Sequence, residues 1–188
     1  MKYKIKLAKD FIIENNIGDK NPYHNNDHMV KVFNNSKMLF DIYKLEYNLS
    51  DKDELVLSLA SLFHDFNHSG GSLTDIENIG LAVSGLKQFL EENEIDYFEE
   101  IKSIIESTEF PYKEMELSIL QKIMRDADTI GGVIDGWEDV VESLSKEFGK
   151  ELKEFIIVFL NSISYNTDYS NTLLSKNKDE IISKLNKM

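Results

Sequence analysis

Apolar side chains recur every third or fourth residue along most of this chain, the period of a helix buried along one face. Over residues 2–15 the stripe is Ile5, Ala8, Phe11 and Ile12. Gly18 and Pro22 then interrupt it. A second helix is predicted from Asn26 or Asp27, with Met29, Val32, Phe33, Leu39, Phe40 and Tyr43 facing inward. Ser50-Asp51-Lys52-Asp53 reads as a helix start, with Ser50 as cap and acidic residues in the first turn. The run Leu55 to Phe63, leading into His64-Asp65, is apolar on most sides and predicts a central, buried helix. Ser69-Gly70-Gly71-Ser72 is a loop, and Thr74 or Asp75 caps a helix reaching about Glu92. Further helical runs fit roughly 97–107, 114–128, 136–147, 149–165 and 177–187, with breaks at Phe110-Pro111, Gly131-Gly132 and Gly149. No alternating strand pattern, internal repeat or low-complexity linker stands out, and the richness in Asn and Lys reads as composition bias. The pattern predicts one all-α domain over residues 1–188, of about eight or nine helices, with its loops converging around two pairs of histidines.

Composition narrows the function classes. Hydrophobic residues at 41%, with 11% aromatics, supply enough apolar surface for a core and argue against disorder. Against 21 Lys and Arg stand 34 Asp and Glu, a net charge of −13 that opposes binding to duplex nucleic acid. A small anionic ligand is still compatible, because a bound divalent cation can dominate the local field. The absence of cysteine excludes disulfides, Cys-ligated zinc, Fe–S clusters and thiol catalysis. The N-terminus, Met1-Lys2-Tyr3-Lys4-Ile5-Lys6, lacks the apolar stretch of a signal peptide. No run approaches the ~18 apolar residues of a membrane span. A cytoplasmic protein without membrane association is expected, and a homodimer is left open.

The candidate chemistry lies in the histidines. All four fall into two pairs with the same spacing, His24/His28 and His64/His68. Four residues is about one helical turn, so in helix each pair projects from one face. Neutral imidazole suits transition metals and carboxylate suits harder ions, and His64-Asp65 offers both from adjacent positions. His28, His64 and Asp65 give three ligands. The candidate fourth lies in Asp126-Ala127-Asp128, two carboxylates closing an apolar helix where packing alone explains them poorly.

These residues carry a resemblance. The order His, His-Asp, Asp resembles the HD superfamily of metal-dependent phosphohydrolases. Tyr23-His24-Asn25-x-x-His28 and His64-Asp65-x-x-His68-x-Gly70 are similar to the motifs of cyclic-nucleotide phosphodiesterases, and Ala127-Asp128-Thr129-Ile130 resembles that family's closing segment. It covers about Tyr23 to Gly131 and implies a single helical phosphodiesterase-like fold. It implies that His28, His64, Asp65 and Asp128 hold one divalent metal, with Asp65 bridging to a second; Mn, Mg, Zn, Ni, Co and Fe are not distinguished. It further implies a metal-activated water as nucleophile, His24 as proton donor to the leaving oxygen, and His68 hydrogen-bonding waters of the second metal. The implied substrate is a small nucleotide-type or other phosphoester, with a diester favoured. Ser69 stands where the family carries Pro, and Lys31 where it carries Asp. The phosphodiesterases also grip the purine with a Gln after the last metal Asp. Here both glutamines, Gln88 and Gln121, precede Asp128, so that clamp is missing.

Plainer readings stand beside several other residues. Asp126 is read as a cap or a partner of Arg125 or a lysine, and Glu109 as a solvated turn residue rather than a neighbour of metal-bound water. Tyr165, Phe159 and Asn161 are candidates for the substrate pocket or the core, and Trp137 for packing. Two alternative functions are a non-catalytic, metal-stabilised nucleotide-binding module and a di-iron oxygenase. Only His68 lies between the His-Asp pair and the last Asp, where such oxygenases carry extra histidines.

Overall fold

The helix with an apolar surface on most sides is the one around which the others are arranged. In the computed structural model, which describes residues 1–188, α3 (Asp51–Phe63) is buried at every position from Glu54 to Phe63. Its N-terminus is fixed by reciprocal bonds between Ser50 and Asp53, which satisfy backbone donors left free at a helix start. Around it pack α1 (Lys2–Asn15), α2 (Asn26–Tyr43), α4 (Asp75–Glu92), α5 (Phe98–Glu106) and α6 (Ile119–Asp135). α7 (Glu138–Phe148), α8 (Lys153–Ser162) and α9 (Asp168–Leu185) complete an all-helical fold of nine α-helices without strands. Fully burying a side chain such as Leu59 or Phe63 stabilises the fold by about 1.5–3 kcal/mol.

One aromatic cluster matters for the site. Phe11, Phe63, Phe66 and Phe89 pack with ring centroids 5.1–6.0 Å apart. Phe66 belongs to the turn His64–His68, so the cluster pins that turn to the core. Gly85 of α4 makes room: a Cβ there would lie 2.1 Å from the Phe66 ring.

The helix boundaries differ from the sequence reading in four places. α6 runs through Gly131-Gly132 instead of breaking there, because Gly132 serves close packing. Its face carries the Trp137 indole, and a Cβ would come within 2.5 Å of the ring. The helix stops at Gly136, whose φ of +111° suits glycine. Its start is also later than expected, set by a capping box between Ser118 and Gln121. α8 is shorter than the 149–165 run. α9 begins well before residue 177, with Thr167 as its N-cap.

Neither histidine pair lies within one helix, as a second helix starting at Asn26 already requires of His24. α2 is capped by Asn25, whose side chain accepts from the His28 N–H, so His28 is helical and His24 precedes the helix. α3 ends at Phe63, and Asn67 adopts a left-handed φ of +62°. His64 therefore sits at a helix end and His68 beyond a turn. Each pair straddles a helix terminus, and its two members diverge.

Candidate metal centre and adjoining cavity

The two helix termini meet. His28, His64, Asp65 and Asp128 each present one ligand atom, and these atoms lie within 4.8 Å of one another. His28 Nε2 is 3.2 Å from Asp65 Oδ2 and 3.3 Å from Asp128 Oδ1. His64 Nε2 is 2.9 Å from Asp65 Oδ2, 3.4 Å from Asp128 Oδ1 and 3.3 Å from His28 Nε2. His64 Nδ1 is 2.9 Å from the Ser61 carbonyl oxygen, an acceptor, so Nδ1 carries the proton and Nε2 faces the cluster with its lone pair. Ligands about 2.0–2.2 Å from a common centre stand roughly 2.9–3.6 Å apart at the edges of an octahedron or tetrahedron. The edges found here match, and the donor set of two imidazoles and two carboxylates fits a divalent metal.

The electrostatics agree. Burial pushes the His28 and His64 imidazoles down, but the carboxylates of Asp65 and Asp128 outweigh it and hold both above the usual histidine range. Burial would push Asp65 and Asp128 up; the facing imidazoles instead hold both below the usual carboxylate range. Cationic charge is favoured here, whether it comes from protons or from a metal.

His24 and His68 form a separate layer. Their rings stack with centroids 3.9 Å apart. His24 Nδ1 lies 2.5 Å from Glu147 Oε1, and Glu147 Oε2 accepts from the backbone N–H groups of Tyr23 and His24. Burial pushes the Glu147 carboxyl up, but the hydrogen bond from His24 holds it below its ordinary value of 4.5. His68 Nδ1 accepts from the Gly70 N–H. Burial, with the neighbouring His24, lowers His68 to about 4, which leaves it neutral with its proton on Nε2. His24, His68 and Glu147 also lie close enough to hold an ion. Their hydrogen bonds account for the grouping without one.

Glu147 is the residue that sequence reasoning missed. It sits on α7, 123 positions from His24, and no local motif marks it. The asparagines are a second omission. Asn16 Oδ1 accepts from Gly18 N and Asn67 N, Asn67 Oδ1 accepts from Ile17 N, and Asn21 Nδ2 donates to the His68 carbonyl. These side chains tie the 16–25 loop to the 64–68 turn, so part of what reads as composition bias holds the histidines in place.

Other candidates resolve differently. Asp126 is fully buried and faces away from the cluster, accepting from the backbone and side chains of Asn166 and Thr167, so it does not pair with Arg125. Burial pushes its carboxyl up, against those four hydrogen bonds. The Arg125 side chain instead donates to the Ser107 carbonyl and covers the Tyr112 ring. Glu109 pairs with Lys113 at 2.6 Å. Asn161 is exposed and bonds back to Ile157, whereas Phe159 lines a cavity beside the metal cluster.

That cavity, about 350 Å³, reaches His24, Asp65 and Asp128 at one end and is walled by apolar side chains from α4, α7, α8 and the 107–118 segment. On the opposite side of His28 and Asp128 lies a smaller, polar pocket of about 230 Å³ that includes Lys31 and Asn35. No helix is long and apolar enough to cross a membrane. No curated protein matches the chain. The HD domain family model matches residues 26–131, which contain all four cluster residues and more than half of the 188-residue chain. With the matched segment carrying the His, His-Asp and Asp ligands in the family's order, the chain belongs to the HD domain family.

Proposed function

We propose that the protein is a metal-dependent phosphohydrolase that cleaves a phosphoester of a small molecule with water, a phosphodiester being favoured and nucleotides the first class to test. The observation that carries this reading is the pairing of a four-residue metal cluster with a histidine held by a buried carboxylate at the mouth of one cavity. His28, His64, Asp65 and Asp128 would hold a divalent metal, which would supply a Lewis acid able to activate water near neutral pH.

The chain's own residues supply the rest. Glu147 occupies Nδ1 of His24, so Nε2 is the atom left to face a substrate. A proton carried on Nε2 can pass from there to a leaving alkoxide. His68, neutral and stacked on His24, limits the ring's movement. Asp65 lines the cavity as well as the cluster, and so joins metal binding to the substrate side.

The test is a screen of linear and cyclic nucleotides and simple phosphoesters with Mn, Mg, Ni and Co. His24→Ala is expected to keep metal affinity and lose about 10²–10⁴-fold in kcat. Asp65→Ala is expected to lose metal and activity together. No hydrolysis from folded, metal-loaded protein would overturn the reading, and full kcat in His24→Ala would remove its role as proton donor.

A further inference from the structure

The cavity beside the metal cluster is walled mainly by apolar side chains. Three of its polar side chains are already engaged within the fold, while the Tyr23 and Tyr112 hydroxyls lie at its wall. Asp75 Oδ2 accepts from the Phe110 N–H, Asn78 Oδ1 accepts from the Ser69 N–H, and the Thr108 hydroxyl donates to the Ile105 carbonyl. The Thr129 hydroxyl is buried and has no hydrogen-bond partner. The Trp137 indole N–H has no partner, but it lies against Gly132 with no accessible surface. Lys150 is the one lysine or arginine in the lining.

The remaining surface is hydrocarbon. Phe159 lies 5.9 Å from Trp137 and 6.2 Å from Phe110, measured between ring centroids. At the opening, Phe110, Phe148 and Phe155 are 43%, 39% and 52% exposed, an apolar rim continuous with the apolar wall. Such a rim loses solvent only when something apolar seats on it. A nucleobase edge or a sugar lying against this wall would give up hydrogen bonds to water without replacing them, and away from the metal cluster a polyphosphate would meet Lys150 as the only lysine or arginine.

We propose that the part of the substrate entering this cavity is an uncharged apolar group, an aryl or alkyl alcohol esterified to the phosphate, rather than a nucleobase, a sugar or a polyphosphate. The inference rests on the phosphohydrolase reading for its phosphate, and narrows that reading for the organic group.

Trp137 is the only tryptophan in the chain and lines the cavity, so its emission reports occupancy without turnover. Phenyl phosphate, adenosine monophosphate, ATP and inorganic phosphate are titrated against the full-length protein, metal-loaded and metal-free, with correction for ligand absorbance. Phenyl phosphate is expected to bind at least about tenfold more tightly than inorganic phosphate or either nucleotide, in keeping with burial of one ring. Phe155→Ser, at a half-exposed position of the rim, is expected to weaken phenyl phosphate several-fold and leave inorganic phosphate unchanged. Equal or tighter binding of adenosine monophosphate or ATP overturns the proposal, as does phenyl phosphate binding no better than phosphate. An unchanged Kd for phenyl phosphate in Phe155→Ser also overturns it. The two readings fail separately. Tight phenyl phosphate binding without hydrolysis by any metal supports the cavity assignment and sinks the hydrolase, whereas nucleotide hydrolysis with tighter nucleotide binding does the reverse.

Discussion

Two aspartates separated by one alanine have opposite fates. Two steps along an α-helix turn a side chain by about 200°, so Asp126 and Asp128 face opposite sides of α6. Asp128 reaches His28 and His64, while Asp126 reaches the turn that starts α9. Replacing Asp126 with Ala would leave the N–H and hydroxyl donors of Asn166 and Thr167 without their acceptor in a buried place. The expected cost is about 3 kcal/mol or more, read as a lower urea midpoint, with metal affinity intact. Asp128→Ala is expected to lose metal affinity. Sequence alone leaves the choice between the two carboxylates to resemblance, because the groups that claim Asp126 lie 40 residues away. The metal ligands are legible because three of the four come from short motifs. Glu147 is not, since its only tie to the site is a fold-dependent contact across 123 residues.

Helix ends, more than helix faces, build this site. The Asn25 cap of α2 divides His24 from His28, and the end of α3 divides His64 from His68, which places one member of each pair in the metal cluster and the other in the stacked His24–His68 layer. The starts at Ser50 and Thr74 are legible because capping boxes are local. The continuation of α6 through Gly131-Gly132 is not, because the reason for glycine at 132 is the ring of Trp137, the residue just before α7. α7 bears the clearest pH signature. Its Glu147 side chain is only 2% exposed and holds Tyr23 and His24. The carboxyl titrates below its ordinary 4.5 when folded, so its contribution is fully present above that pH and is lost as pH falls through the lower folded value. Glu147→Gln lacks this acid-labile contribution. The Tm difference between the wild type and Glu147→Gln is therefore expected to be largest near pH 6 and to shrink towards pH 3. A difference independent of pH would mean that Glu147 acts through packing alone.

Across the whole molecule, the metal cluster links folding to ion binding. The four ligands come from α2, the end of α3 and α6, so the site exists only when these elements are packed. A metal that binds the folded chain alone at a hundred times its Kd stabilises it by about 2.7 kcal/mol. For a chain of this size that corresponds to a Tm increase of roughly 5–10 °C. The sign of its pH dependence follows from the histidines. In the metal-free protein, Asp65 and Asp128 raise His28 and His64 above their ordinary 6.5, despite burial. The protonated cluster therefore contributes stability below pH 6.5 that is lost as pH rises through the folded values. A metal needs the neutral imidazoles, so its binding releases those protons and tightens over the same interval. The metal-free Tm is expected to fall between pH 6 and 8 while the metal-induced increase grows. His64→Ala is expected to flatten both trends, and EDTA to return the wild type to its metal-free curve. A metal-induced shift of the same size at pH 6 and pH 8, or one retained by His64→Ala, would place the ion elsewhere in the protein.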